Sequence, residues 1–219
     1  MHERFDLSVY LVTDPRLSGA RGVVEVVRAA IAGGVTLVQL RDPEAKTGPL
    51  VELARALVAL LRPAGIPLII NDRVDVALAA DADGVHVGQR DMTPADVRAL
   101  IGPRPIVGQS VTSLAQLATV PRDHVDYLGV GPIFATQTKP DASTPIGPAG
   151  LAAISAQSDW PIVAIGGLGP SNAAEAIRAG ADGVAVVSAI CAHPQPELAT
   201  RELRDLVARE RAARGPSTR

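Results

Sequence analysis

Aromatic residues are nearly missing from this chain: one tryptophan, two tyrosines and two phenylalanines in 219 residues. A core without them has to be filled by Ala, Val, Leu and Ile, which suits buried parallel strands under Ala-rich helices. A single cysteine, Cys191, excludes an intramolecular disulfide framework and agrees with a reducing compartment. The net charge of −2, with both signs interspersed, leaves no basic stripe for nucleic acid or a membrane surface. Apolar runs such as 184–192 are far too short to span a bilayer, and the opening MHERFD carries no signal-peptide pattern. A soluble cytoplasmic protein is expected. No G-x-G-x-x-G follows the first apolar strand, which argues against a dinucleotide-binding open sheet.

What the chain does contain is a degenerate repeat. The segments AAIAGGVTLVQL (29–40), ALAADADGVHVGQ (77–89) and AIRAGADGVAVVS (176–188) each run from a helix end through a small-residue turn into a strand. Aligned on Gly34, Gly84 and Gly183 they lie 50 and 99 residues apart, about two and four units of 25 residues. Eight strands fit, near 7–12, 35–40, 67–70, 83–87, 105–109, 125–131, 161–165 and 182–187, with helical patterns between them. Residues 50–65 read as a helix with a Pro-Ala-Gly stop, and Thr93-Pro94 reads as an N-cap followed by proline at the first helical position. Gly169-Pro170 is expected to start a further helix that Gly180 ends. Residues 196–213 read as a closing amphipathic helix before a frayed GPSTR tail. Strict alternation implies a parallel sheet with right-handed crossovers, and eight units imply one (β/α)₈ barrel domain over residues 1–219.

In such a barrel the chemistry lies at the C-terminal ends of the strands. Gln39 and Arg41 follow the second strand, Asn71-Asp72-Arg73 the third, Gln89 and Asp91 the fourth, and Ser110 the fifth. After the sixth, VDYLGVGPIFATQTKPD (125–141) opens into Thr136, Gln137, Thr138 and Lys139. Two hydroxyls, an amide and an ammonium there suit phosphate oxygens. Gly166-Gly167 after strand seven, with Val187-Ser188 after strand eight, matches the usual barrel phosphate site. Asp72 and Asp91 follow neighbouring strands, a pairing that suits Mg²⁺ with water and phosphate oxygens; taken by itself, Asp72 reads better as a helix N-cap. His86 inside strand four reads as a satisfied core imidazole rather than a pocket floor, and Trp160 as packing. Cys191 has no histidine partner in view and receives no nucleophilic role.

Taken in order, QLRD (39–42), NDR (71–73), GVHVGQRD (84–91), GQS (108–110), GPIFATQTK (131–139), AIGG (164–167) and GADGVAVVSAI (180–190) resemble the thiamine phosphate synthase family. The likeness runs from about Val9 to Ile190. It implies a (β/α)₈ barrel that joins hydroxymethylpyrimidine diphosphate to a thiazole phosphate and releases pyrophosphate, with Mg²⁺ as cofactor. By motif, Gln39, Arg41, Asn71, Ser110 and Lys139 would hold the pyrimidine diphosphate. Asp72 and Asp91 would bind Mg²⁺, and Thr136, Gln137, Thr138, Gly167, Val187 and Ser188 would hold the thiazole phosphate. Arg41 and Lys139 would stabilise the leaving group in a dissociative reaction that needs no protein nucleophile.

One position departs from the family pattern. Many members read QLR-x-Lys, whereas Pro43 stands here, with Lys46 three residues on. Rival readings are a thiazole tautomerase-like isomerase, which would lack the Asp72/Asp91 pair and the TQTK loop, and a non-catalytic phosphate-ligand-binding barrel, which needs no metal carboxylates. The expected partners are two small-molecule substrates, with no nucleic acid and no membrane; self-association into a homo-oligomer is left open.

Overall fold

A computed structural model describes residues 5–136, 138 and 143–215. Eight parallel strands, β1 (Val9–Val12), β2 (Leu37–Leu40), β3 (Leu68–Asn71), β4 (Gly84–Val87), β5 (Ile106–Val111), β6 (Tyr127–Val130), β7 (Ile162–Ile165) and β8 (Gly183–Val186), close in sequence order into a barrel. The helices, in chain order, are α1 (Pro15–Ser18), α2 (Gly22–Gly33), α3 (Thr47–Leu61), α4 (Val74–Ala80), α5 (Pro94–Ile101), α6 (Leu114–Leu117), α7 (Gly147–Ser155), α8 (Ala173–Arg178), α9 (Ser188–Cys191) and α10 (Pro196–Arg214). The expected fold class, a (β/α)₈ barrel, is therefore the observed one.

The period-2 alternation of each strand divides the apolar residues into two cores. Outward-facing Val9, Leu11, Val38, Leu40, Ile70 and Leu128 pack with the helices in the larger one. Inward-facing Tyr10, Leu37, Ile69, Ile106, Tyr127 and Val163 fill the barrel in the smaller one. Both tyrosines of the chain thus stand inside the barrel, at 1% and 0% exposure.

At the barrel's closed end a fourfold device sets the start of the strands. Thr36 Oγ1 accepts from Val9 N at 3.0 Å, Asp83 Oδ2 from Leu68 N at 2.8 Å, Asp126 Oδ2 from Val107 N at 2.8 Å and Asp182 Oδ2 from Ile162 N at 2.9 Å. The backbone N–H of each of these four residues returns a bond to the carbonyl of the same partner. Each even-numbered strand therefore brackets the first residues of the odd-numbered strand before it, or the one next to it in β5. This fixes register as well as adjacency.

The bracket corrects the alignment of the sequence repeat. Gly34 is the left-handed C-cap of α2, with φ 92°, whereas Gly84 and Gly183 are the first residues of strands. The residues equivalent to Gly34 are Asp81, the left-handed cap of α4, and Gly180 beyond α8. The repeat is real, but its equivalent position is the bracketing Thr or Asp, and aligning Thr36 with Asp83 and Asp182 shifts the first segment by three residues from the glycine alignment.

Local expectations mostly stand. Thr93 caps α5, accepting from Asp96 N, with Pro94 at the first helical position. The segment 50–65 becomes α3 followed by a short 3₁₀ turn over residues 62–64, and α10 closes the chain. The helix expected at Gly169-Pro170 begins later, at Ala173, because Gly169 N is drawn to Asn172 Oδ1 at 2.9 Å and the chain turns before it coils. Residues 216–219, most of the expected frayed tail, lie outside the described residues. Among the described residues no helix is long and apolar enough to cross a membrane.

The bracket predicts an order of stability. Asp126 also pairs with Arg98 at 2.8 Å, and the two side chains are 19% and 13% exposed. Asp126→Ala strands Val107 N and removes the carboxylate partner of a shielded guanidinium that keeps only backbone carbonyls, and is expected to lower unfolding free energy by about 2–3 kcal/mol. Asp83→Ala strands Leu68 N in the same way but breaks no ion pair among the described residues, and is expected to cost about 1 kcal/mol. Urea unfolding of both variants checks the order; equal costs would remove the Arg98 pair from the account.

Candidate functional site

A cavity of about 370 Å³ opens at the C-terminal end of the barrel, and the strand-end residues converge on it. Gln39, Arg41, Asn71, Ser110, Thr136, Thr138, Gly167, Val187 and Ser188, each singled out from the sequence, all line this one cavity. Gln137 and Lys139 lie outside the described residues.

On the β2–β3 side, Thr13 organises the approach. Its backbone N–H donates to Gln39 O at 2.9 Å, and its Oγ1 accepts from Arg41 N at 3.0 Å. Arg41 is thereby turned from the end of β2 towards the mouth. Asn71 proves to be the last residue of β3 rather than part of the following loop, and its Nδ2 donates to Asp72 Oδ2 at 2.6 Å. Asp72 takes a left-handed conformation, φ 59°. It does not cap α4, whose cap residue is Arg73 and carries no side-chain cap bond. The N-cap reading of Asp72 is therefore set aside.

Asp91 folds back over the turn after β4, with Oδ2 accepting from Gly88 N at 2.8 Å. A side chain on Gly88 would meet that same oxygen at 2.9 Å, so glycine makes the close turn possible. Asp72 and Asp91 are not among the residues lining the cavity, although their chain neighbours Asn71 and Arg90 are. Among the described residues no three His, Cys, Asp or Glu side chains gather where they could hold a metal ion by themselves. Two carboxylates, each oriented by an N–H donor, do match what Mg²⁺ takes from a protein when substrate and water supply its other oxygens.

On the β6–β8 side the wall is glycine and hydroxyl. Gly166 and Gly167 have φ of 100° and 64°, and a Cβ on them would lie 2.5 Å from Pro132 and from Ala135 O respectively. The β6 loop runs tightly along this turn, with Ile133 N bonded to Ile165 O and Phe134 N to Gly166 O. Thr136 Oγ1 and Thr138 Oγ1 lie 2.9 Å apart at its tip. Opposite them, Val187 and Ser188 open the one-turn helix α9. Further along that helix, Cys191 is buried, and burial pushes its thiol up to about 11. An inert packing thiol fits the absence of any nucleophilic role.

The floor of the cavity is the part that sequence reasoning missed. Gln39 Nε2 donates to Tyr10 Oη at 2.8 Å, Tyr10 Oη and Tyr127 Oη are 2.8 Å apart, and Tyr127 Oη lies 3.0 Å from His86 Nδ1. His86 Nε2 then lies 2.9 Å from Ser110 Oγ. His86 is satisfied, as expected, and is also the pocket floor, which had been the less favoured reading. Ser110, named from the sequence only as a substrate contact, thus has an imidazole beside it. Room for this chain comes from Gly108, paired in register with both His86 and Tyr127. The only local sign in the sequence is that both tyrosines interrupt apolar strands.

Beyond the end of β2, Pro43 borders a smaller cavity of about 210 Å³ that also touches Arg41 and Arg16. Lys46 is the cap residue of α3 and is not among the residues lining either cavity.

Comparison with known proteins places this geometry among relatives. The family model for thiamine monophosphate synthase matches residues 9–190. The thiamine-phosphate synthase of Xanthobacter autotrophicus is 60% identical over 207 residues, covering 94% of this chain and 98% of its own. That of Azorhizobium caulinodans is 56% identical with the same coverage. Among solved structures, the thiamine phosphate pyrophosphorylase from Pyrococcus furiosus superposes with a TM-score of 0.87 at 40% identity, over 95% of this chain and 99% of that one.

The floor geometry generates its own prediction. A Cβ at Gly108 would lie 2.2 Å from Tyr127 Cζ and 2.4 Å from His86 Nδ1. Gly108→Ala is expected to push the two rings apart and to cost about 1–3 kcal/mol as an overpacked core. Thermal unfolding and the near-ultraviolet circular dichroism of the two tyrosines report it; an unchanged spectrum with wild-type stability would mean the floor yields freely.

Proposed function

Because the chain belongs to the thiamine monophosphate synthase family, it is a transferase that forms thiamine phosphate, and we propose how its cavity does so. The carrying observation is the division of the cavity wall. Amide and guanidinium groups stand on the β2–β3 side, hydroxyls and left-handed glycines on the β6–β8 side, with one space between them. In this reading hydroxymethylpyrimidine diphosphate lies against Gln39, Arg41, Asn71 and Ser110, and hydroxyethylthiazole phosphate against Thr136, Thr138, Gly167, Val187 and Ser188. Gln137 would join the thiazole phosphate side and Lys139 the diphosphate side.

The reaction needs two reactants held face to face, and each wall selects one anionic end. The bond from the pyrimidine methylene carbon to the diphosphate oxygen breaks, and its electron pair leaves with pyrophosphate. The thiazole nitrogen lone pair then forms the new carbon–nitrogen bond. Arg41 offsets the charge gathering on the departing oxygen, and Lys139 is assigned the same task. Mg²⁺, held by Asp72 and Asp91, would supply further positive charge for the leaving pyrophosphate. Asn71 and Gly88 N orient the two carboxylates for this role. Pairing of two bound substrates supplies the proximity contribution, and no covalent protein intermediate is required. A cytoplasmic location agrees with a single buried cysteine. Incubating both substrates with Mg²⁺ and detecting thiamine phosphate by mass spectrometry tests the reading; absence of product would overturn it.

Three variants separate the parts. Asp91→Ala and Asp72→Ala are each expected to lower turnover by about 10²-fold, since a metal at a leaving group contributes several kcal/mol. Titrating Mg²⁺ against rate, and against binding of the metal with the diphosphate substrate, checks both; full activity at limiting Mg²⁺ would remove that residue from the metal site. Ser188→Ala is expected to weaken thiazole phosphate binding by about 1.5–3 kcal/mol, the worth of a hydrogen bond to a charged group, and to leave the diphosphate substrate unaffected. Calorimetry with each ligand alone decides, and equal losses would contradict two separate subsites.

A further inference from the structure

The buried chain Gln39–Tyr10–Tyr127–His86–Ser110 carries information in its protons. Tyr10 and Tyr127 are buried, and burial, the largest influence on each, holds both phenols well above their ordinary pKa. Each therefore keeps one proton to donate. An amide nitrogen only donates, so Tyr10 Oη accepts from Gln39, and the oxygen within reach of its own proton is that of Tyr127. The Tyr127 proton is thereby directed to His86 Nδ1. With Nδ1 accepting, a neutral imidazole carries its hydrogen on Nε2 and donates it to Ser110 Oγ. The Ser110 hydroxyl proton is then left for the cavity.

The opposite polarity requires either that the Gln39 amide turn over and accept from Tyr10 or that the Tyr10 proton leave the chain for the cavity that Tyr10 also lines. In both cases the bonds from Tyr127 onward would reverse, and Ser110 would donate to His86 and act as a base-assisted nucleophile. While the Tyr10 proton stays in the chain, the amide on β2 and the hydroxyl on β5 do not choose their roles independently. The chain's seat is built for this alignment: a Cβ at Gly108 would meet both rings, and one at Gly129 would lie 3.0 Å from His86 Cε1.

We propose that His86 and Tyr127 are positioning residues: they lock His86 as the Nε2–H tautomer and, through it, fix Ser110 as a hydrogen-bond donor to the ring of the diphosphate substrate, not a nucleophile. The identity of the ring rests on the proposed function; the tautomer does not. An acceptor nitrogen of a heteroaromatic ring faces Ser110, while Gln39, its Nε2 spent on Tyr10, offers Oε1 to an exocyclic amino donor.

The first test is ¹⁵N–¹H correlation spectroscopy of the histidine rings in the substrate-free protein, with His86 assigned by its loss in His86→Gln. A protonated Nε2 and an unprotonated Nδ1 are expected; the Nδ1–H tautomer would overturn the proposal and make Ser110 the base-assisted group. The second test is kinetic. Tyr127→Phe breaks the chain at its centre and is expected to give a mixture of His86 tautomers and to raise KM for the pyrimidine diphosphate about tenfold, with KM for the thiazole phosphate unchanged. His86→Gln, which keeps an N–H near the Nε2 position, is expected to recover most of what His86→Ala loses, and His86→Asn to recover little. Equal defects in all three His86 variants, or a Tyr127→Phe effect shared by both substrates, would reduce these residues to packing. A wild-type protein that forms no thiamine phosphate would sink the proposed function and leave the tautomer result standing.

Discussion

An inward-pointing polar atom in a closed barrel is shielded from solvent, so its partner has to come from another strand. Most of this interior avoids the problem with Leu, Ile, Val and Ala. At one level it does not, and there five polar side chains from β1, β2, β4, β5 and β6 satisfy one another in sequence. That arrangement exists only in one register, because Gly108 has to stand opposite both His86 and Tyr127. A slip of one residue in β5 would bring Val107 or Gln109 to the inside and close the space between the rings. The register that closes the barrel is thus the one that builds the floor.

The bracketing residues at the other end are what hold that register. Thr36, Asp83, Asp126 and Asp182 each tie the first backbone groups of a neighbouring strand with a side-chain bond and a backbone bond. Strands of four to six residues have few ladder bonds of their own, so a two-bond clamp at the base contributes a large share of their alignment. Stability is concentrated at the base and chemistry at the mouth, which leaves the mouth loops free to carry glycines with left-handed conformations.

Most of this was legible in the sequence because each cue was local. Alternating apolar strands, a Thr-Pro helix start and a Gly-Gly turn announce themselves within a few residues, and the order of polar residues after each strand mapped onto one cavity. The failures share a different cause. Tyr10 and Tyr127 are 117 residues apart, and nothing in VYLV or YLGV says that the two hydroxyls meet. His86 looked like a choice between core and floor, when a barrel interior makes it both. The repeat was aligned on glycines because they are conspicuous letters, although Gly34 ends a helix and Gly84 starts a strand. Asn172 delayed a helix by capturing Gly169 N, a competition between side chain and backbone that helix signals alone do not register.

The neutrality of the floor bears on the proposed reaction. When pyrophosphate departs, the methylene carbon carries positive charge, and a charged group beneath the ring would act strongly at low dielectric. A phenolate would hold the ring cation and slow its capture; an imidazolium would oppose its formation. Burial keeps both tyrosines protonated, and in the proposed tautomer the imidazole is neutral. In the proposed reaction charge would be confined to the mouth, where Arg41 would face the leaving anion, and the floor would act by direction alone, turning the ring so that its methylene carbon lies between the two walls. Separating orientation from charge in this way lets one cavity break a bond on one side of a carbon and make a bond on the other without a protein group ever bonding to it.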